Sequence, residues 1–270
     1  MEESPLSYET ILTSINDGIL TITMNRPERL NAWTYQMGDD LDDAITSAND
    51  NDDVEAIILT GAGRGFCAGA DIEDLFKEQA DSGKSGTSAE RKPRDWVGLI
   101  RTSKPCITAI NGAAIGVGLT QVLPMDFLVA SENAKLSARF IKMGVVPELA
   151  SSKFLVARMG FGHASELMLS GKTINGTEAA QIKLIDKAVP ADMLMTTARE
   201  VAKSMGENPQ GALLTVKQLI TENMSETDLR EVQKRELAAL EVCYKSPEHH
   251  EAINAFIEKR DPDFRSARKT

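Results

Sequence analysis

Lys104-Pro105-Cys106-Ile107-Thr108-Ala109-Ile110-Asn111-Gly112-Ala113-Ala114-Ile115-Gly116-Val117-Gly118-Leu119-Thr120 begins as a strand and ends as the start of a helix. Pro105 and Asn111-Gly112 bracket a β-branched, apolar run over Cys106–Ile110, the pattern of a buried strand. Small residues after the turn open a helix near Gly116. The first turn of such a helix carries free backbone N–H groups and the positive end of the dipole. Glycines on either side of Val117 let a ligand approach that backbone closely. A negative oxygen is the natural guest. Tight helix–sheet packing accounts for the same small residues, because small-residue turns are common.

A second stretch repeats the arrangement. Val54-Glu55-Ala56-Ile57-Ile58-Leu59-Thr60 reads as a strand, followed by the glycine-rich loop Gly61-Ala62-Gly63-Arg64-Gly65-Phe66-Cys67-Ala68-Gly69-Ala70-Asp71-Ile72 and a helix start. The loop is neither a dinucleotide fingerprint, since Phe66 stands where the third glycine belongs, nor a P-loop, since no Gly-Lys-Ser/Thr follows. Two strand–glycine–helix units can aim two backbone N–H groups at one oxygen, which is an oxyanion hole.

Phe66-Cys67-Ala68-Gly69-Ala70-Asp71-Ile72, then Lys104-Pro105 and Ile110 through Gly118, resemble the enoyl-CoA hydratase/isomerase (crotonase) superfamily. The resemblance continues through Asp126-Phe127-Leu128-Val129-Ala130, Leu167-Met168-Leu169-Ser170-Gly171, Glu178-Ala179-Ala180 and Leu184-Ile185-Asp186, and spans about residues 12–264. It implies an α/β fold, a spiral of ββα units with parallel strands in two sheets, and a C-terminal helical trimerisation region. The expected division is 1–195 for the spiral core and 196–270 for the helical oligomerisation region, with a homotrimer or a dimer of trimers as the assembly.

The resemblance also implies chemistry. The substrate is an acyl-CoA thioester, no cofactor is needed beyond the CoA it carries, and no metal is expected. Motif position makes the N–H groups of Ala70 and Val117 the donors that hold an enolate oxygen. Hydratases of the family place glutamates at the positions occupied here by Thr120 and Phe140, neither of which moves a proton at neutral pH. Relatives resembling the peroxisomal-type delta-isomerases carry their acid in the loop that corresponds to Gly144-Val145-Val146-Pro147-Glu148. Glu148 behind an apolar run suits a base whose pKa is raised by burial; an exposed glutamate capping the helix at Ala150 is the plain alternative. A single base suffices for shifting a 3-enoyl double bond to the 2-position. Hydration or another acyl-CoA lyase reaction with one glutamate, and a non-catalytic CoA-binding relative, are the alternatives. CoA and substrate contacts are expected at Arg29, Leu30, Ala68, Asp71, Ile72, Thr120 and Phe140, and from a neighbouring subunit at Phe256 and Lys259. Asp71 is also read as a helix cap, and Cys67 as a small buried filler.

Bulk properties bound these readings. A chain of 270 residues buries about three-quarters of its extended surface and needs no disulfide staples. Its three cysteines lie in unrelated contexts. A net charge of −10 makes nucleic acid and anionic membrane surfaces poor partners. The acidic amino terminus has no apolar core, and the expected location is the cytoplasm. Residues 8–14 and 18–24 alternate around Asn16-Asp17-Gly18 as a hairpin. Residues 77–94 lack a hydrophobic period and read as a mobile lid over the acyl chain. Residues 151–159 and 162–170 read as helices, as does the chain after Met193, and Thr177 reads as an N-cap before Glu178.

Overall fold

The computed structural model describes residues 8–74 and 94–269. The lid expected over 77–94 lies outside the described residues apart from Arg94. In chain order the elements are β1 (Ile11–Asn16), β2 (Ile19–Met24), α1 (Tyr35–Asp50), β3 (Ala56–Gly61), β4 (Gly65–Cys67), α2 (Trp96–Thr102), β5 (Cys106–Ile110), β6 (Ala113–Ile115), α3 (Val117–Thr120), β7 (Phe127–Ser131) and β8 (Lys135–Ser137). They continue with α4 (Ser151–Ser170), β9 (Ile174–Asn175), α5 (Gly176–Gln181), β10 (Lys187–Val189), α6 (Leu194–Gly206), α7 (Gln210–Asn223), α8 (Leu229–Cys243), α9 (Pro247–Glu258) and α10 (Phe264–Arg268).

The hairpin is turned by Asp17 and Gly18, both at positive φ, which matches the twist of the two strands it joins. One sheet then runs β1-β2-β3-β5-β7-β10 and a second runs β4-β6-β8-β9. From β2 onward the first sheet is parallel. Each circuit lays one strand in the first sheet and the next in the second: β3 then β4, β5 then β6, β7 then β8. That is a spiral of strand–strand–helix units.

Both faces of the parallel sheet are covered, so its strands are apolar throughout rather than alternating. Ile57, Leu59, Cys106, Ile110 and Leu128 point into the main core with Phe66, Ala114, Leu136 and α1. Ile58, Ile107, Ala109 and Val129 point to the other face, where Leu194, Ala198 and Ala202 of α6 cover them. The boundary expected between 195 and 196 therefore falls inside a helix that belongs to the sheet's second core. Lys104 secures another junction. Its buried ammonium donates to the carbonyls of Ala48 (2.8 Å) and Asn51 (2.6 Å) at the end of α1, where a cation suits the helix dipole.

Two local expectations are corrected. Residues 65–67, read as part of a loop, and 113–115, read as small residues leading into a helix, are strands of the second sheet, paired to each other in parallel. The N-cap of α5 is Asn175, not Thr177. The Asn175 side chain accepts from the Glu178 N–H at 2.8 Å, and the Glu178 carboxylate accepts from the Asn175 N–H at 2.8 Å. This reciprocal box satisfies two orphan donors at once, which a threonine one residue from Glu178 cannot do. The two helices expected over 151–159 and 162–170 are present as the two runs of α4, which meet at Gly160, whose φ of 76° and ψ of 166° are not helical.

Candidate active site

The site is built where the loop after β2 meets the loop after β4. Asn31 is fully buried at a φ of 55° and ties the region together. Its Oδ1 accepts from the Arg26 N–H at 2.8 Å, while its Nδ2 donates to the carbonyls of Ala62 and Gly65, both at 2.9 Å. Trp33 then forms a parallel bridge with Ala70. The Trp33 N–H donates to Gly69 O and the Asp71 N–H donates to Trp33 O, each at 2.8 Å. Alternation along an extended segment sends the N–H between those two groups, that of Ala70, to the opposite side.

The second wall comes from the turn into α3. Gly116, at φ 56° and ψ −123°, adopts a backbone shape that only glycine takes readily. The next residue, Val117, therefore starts the helical turn with its N–H directed outward. Among the described residues neither the Ala70 nor the Val117 N–H has a backbone acceptor. The two loops touch through Gly118, where a Cβ would lie 2.2 Å from the Cys67 carbonyl oxygen.

Ala70, Val117 and Glu148 line one cavity of about 320 Å³, together with, among the described residues, Trp33, Tyr35, Gly38, Arg94, Trp96, Gln121 and Leu149. Glu148 is open to the cavity as a residue, yet its carboxylate is more enclosed. Burial raises its pKa above the ordinary 4.5, and a hydrogen bond from Thr120 works against that rise. Thr120 is fully buried and donates its hydroxyl to Glu148 Oε1 at 2.6 Å. The helix that follows, α4, has Ala150 as its N-cap, and the Glu148 carboxylate accepts from Thr120 rather than from the first N–H groups of that helix. Leu149 and Ala150 both sit at positive φ, 57° and 53°, which turns the chain so that Glu148 faces the cavity instead. Two consecutive left-handed residues that are not glycine cost on the order of 1–2 kcal/mol each.

The other expected residues fall in several places. Asp71 is 4% exposed and is held by Arg26 at 3.0 Å and Arg29 at 3.3 Å. Burial alone would raise its carboxyl, but the hydrogen bonds and charges of the two arginines hold it below the usual value. Arg29 also pairs with Glu73 and is an exposed residue. Leu30 accepts from the Ala68 N–H at 3.1 Å, and Ile72 is exposed. Phe140 is half-buried beside the Gly116 turn, 3.9 Å from where a Cβ of that glycine would be. Phe256 is 85% exposed on α9 and Lys259 ends that helix; neither lines the cavity. Burial pushes the Cys67 thiol up to about 11, so it is a filler and no nucleophile.

Trp33, Tyr35, Gly38, Arg94, Trp96 and Gln121 were not singled out from sequence. They come from three separate segments, and no local motif joins them.

The sequence model described as enoyl-CoA hydratase/isomerase matches residues 14–267. A Mycobacterium bovis protein named "Probable enoyl-CoA hydratase" is 34% identical over 259 residues, covering 96% of this chain and 99% of that protein. The 1,2-epoxyphenylacetyl-CoA isomerase of Escherichia coli is 33% identical over 261 residues, covering 95% and 98%. The crystal structure of an enoyl-CoA hydratase from Polaromonas superposes with a TM-score of 0.84 at 28% identity, over 94% of this chain and 98% of that one. The chain belongs to the enoyl-CoA hydratase/isomerase family of acyl-CoA-processing enzymes.

Proposed function

We propose that this enzyme shifts the double bond of a 3-enoyl-CoA thioester to the 2-position, with Glu148 as its only base. One observation carries the reading: among the described residues, Glu148 is the single carboxylate lining the cavity. Its carboxylate takes the proton from C2, between the thioester carbonyl and the double bond. Charge moves onto the thioester oxygen, where the N–H groups of Ala70 and Val117 stabilise the dienolate. The same carboxyl returns the proton at C4, so no atom is gained or lost. Thr120 steadies the carboxylate from behind.

Hydration by the same glutamate is the second reading, favoured by relatives that are named mainly as hydratases. It demands more of one group, since water must be activated at one carbon and a proton delivered to the next. Incubation with 3-enoyl- and 2-enoyl-CoA thioesters, followed by chromatography that resolves the two isomers and by mass spectrometry, separates the two. Isomerisation converts the 3-enoyl thioester with unchanged mass. Gain of one water from the 2-enoyl thioester, without isomerisation, would replace the proposal with hydration.

The proposal includes assembly into trimers through the C-terminal helices. Leu229, Val242, Phe256 and Ile257 are 69–85% exposed on α8 and α9, an apolar surface that a second copy would cover. Phe256 and Lys259 would then approach the CoA of a neighbouring subunit. Light scattering should give a trimer or hexamer; a stable monomer at micromolar concentration would overturn it.

A further inference from the structure

The acyl end of the cavity is lined by rings. Both tryptophans of the chain and one of its three tyrosines stand in this one cavity. Trp33 is the backbone bridge partner of Ala70, and both residues line this cavity. Tyr35 meets Trp33 edge to face, with ring centroids 5.4 Å apart and an interplanar angle of 67°. The Trp96 indole N–H is already used, donating to the Gln121 carbonyl at 2.7 Å, so this ring has only carbon surface left to offer. Gly38 leaves the space these groups occupy. A Cβ there would stand 2.8 Å from Trp33 Cζ2 and 2.6 Å from Arg94 Nη1.

Among the described residues, Arg94 is the one cation in the lining. Its guanidinium is paired with Asp39 and donates to the Tyr35 carbonyl at 3.3 Å. Asp39 already balances that charge, so the pair attracts a further carboxylate less than a lone guanidinium would. The wall thus favours a neutral, planar group over a second charge. A volume of about 320 Å³ lies at the small end of ligand pockets, enough for one compact group and short for a long flexible chain. Rings facing rings gain from edge-to-face and offset contacts beyond simple burial, which a linear chain does not.

We infer that the cavity is selective for acyl groups carrying an aromatic ring, recognised by Trp33, Tyr35 and Trp96. The inference rests on the reading that this cavity takes the acyl part of a CoA thioester, and it names the class of that acyl part.

The test measures binding alone, so that it is independent of the reaction catalysed. Titration calorimetry compares CoA, octanoyl-CoA, the length-matched 4-phenylbutanoyl-CoA and octanedioyl-CoA on the wild type, Trp33→Leu and Tyr35→Leu. The phenyl thioester should bind about tenfold more tightly than octanoyl-CoA, equivalent to about 1.4 kcal/mol. That ratio should fall towards one in Trp33→Leu, or in Tyr35→Leu if the first variant fails to fold, with CoA affinity unchanged. Equal or weaker phenyl binding by the wild type overturns the inference, as does a ratio preserved in both variants. Tightest binding of octanedioyl-CoA also overturns it and assigns the pocket to a carboxylate held by Arg94. In those cases turnover of linear 3-enoyl thioesters still decides the isomerase reading separately. Binding of neither CoA nor any thioester overturns both.

Discussion

Glu148→Gln should lower turnover by about 10²–10⁴-fold, the usual cost of losing a general base, while thioester affinity changes little. Glutamine keeps the volume and can still accept from Thr120, so only the proton transfer is removed. Stability should respond in the opposite direction from that expected of a lost cap. Burial raises the Glu148 carboxyl above its ordinary 4.5. A carboxyl raised on folding adds no penalty below its unfolded pKa. Stability is lost as pH rises through the folded value, and the whole penalty is present above it. Once ionised, Glu148 therefore weakens the fold, and above that ionisation the neutral glutamine should leave the melting temperature unchanged or higher. A helix cap would instead lose about 0.5–2 kcal/mol. Turnover of the wild type should decline on the acid side with a single ionisation. Thr120→Val, by removing a hydrogen bond that favours the carboxylate, should move that decline to higher pH. One pH–rate series on three proteins, with melting curves alongside, checks every part. Near-normal isomerisation by Glu148→Gln would end the single-base mechanism.

The second large effect is expected from one methyl group. In Gly118→Ala the new Cβ would lie 2.2 Å from the Cys67 carbonyl oxygen, 2.9 Å from Cys67 Cβ and 3.0 Å from its carbonyl carbon. Two of those three atoms are backbone, so no flexible side chain can swing away. The turn carrying Val117 has to move from the loop carrying Ala70, and two donors that must meet one oxygen are drawn apart. Losing one such donor costs about 10²–10³-fold in turnover. Overpacking of this kind costs about 1–3 kcal/mol in stability. Urea unfolding and steady-state kinetics measure the two separately, and the rate should fall by more than partial unfolding at the assay temperature explains. An alanine variant with wild-type turnover would show that the approach of these loops is immaterial to the chemistry.

Much of this protein is determined locally. The hairpin at Asp17-Gly18 and the strand at Cys106–Ile110 have signals within a few residues, and the structure has both. Gly116 announces a backbone shape that side chains avoid, and the motif around it places Val117 at a helix start. Family membership follows from the same stretches, because their glycines and the strands before them recur in order. The three-residue strands β4 and β6 escape such reading. Glycine and alanine carry no two-residue alternation, and those segments become strands only because each pairs with the other. Asn175 takes the cap from Thr177 through a reciprocal bond that depends on the turn's actual geometry.

The candidate site divides along the same line. Ala70, Val117 and Glu148 are legible as positions in motifs, but nothing local says that residues 70, 117 and 148 share one cavity. That is decided by the pairing of Trp33 with Ala70, by the contact of Gly118 with Cys67, and by the left-handed turn at Leu149 and Ala150. Thr120 illustrates the difference most plainly. In sequence it stands as a residue that cannot move a proton, whereas in the folded chain its hydroxyl lies 2.6 Å from the Glu148 carboxylate that lines the cavity. The rings of Trp33, Tyr35 and Trp96 converge for the same reason: a strand bridge, a helix start and a second helix start far along the chain meet in space, and a one-dimensional pattern cannot encode that distance.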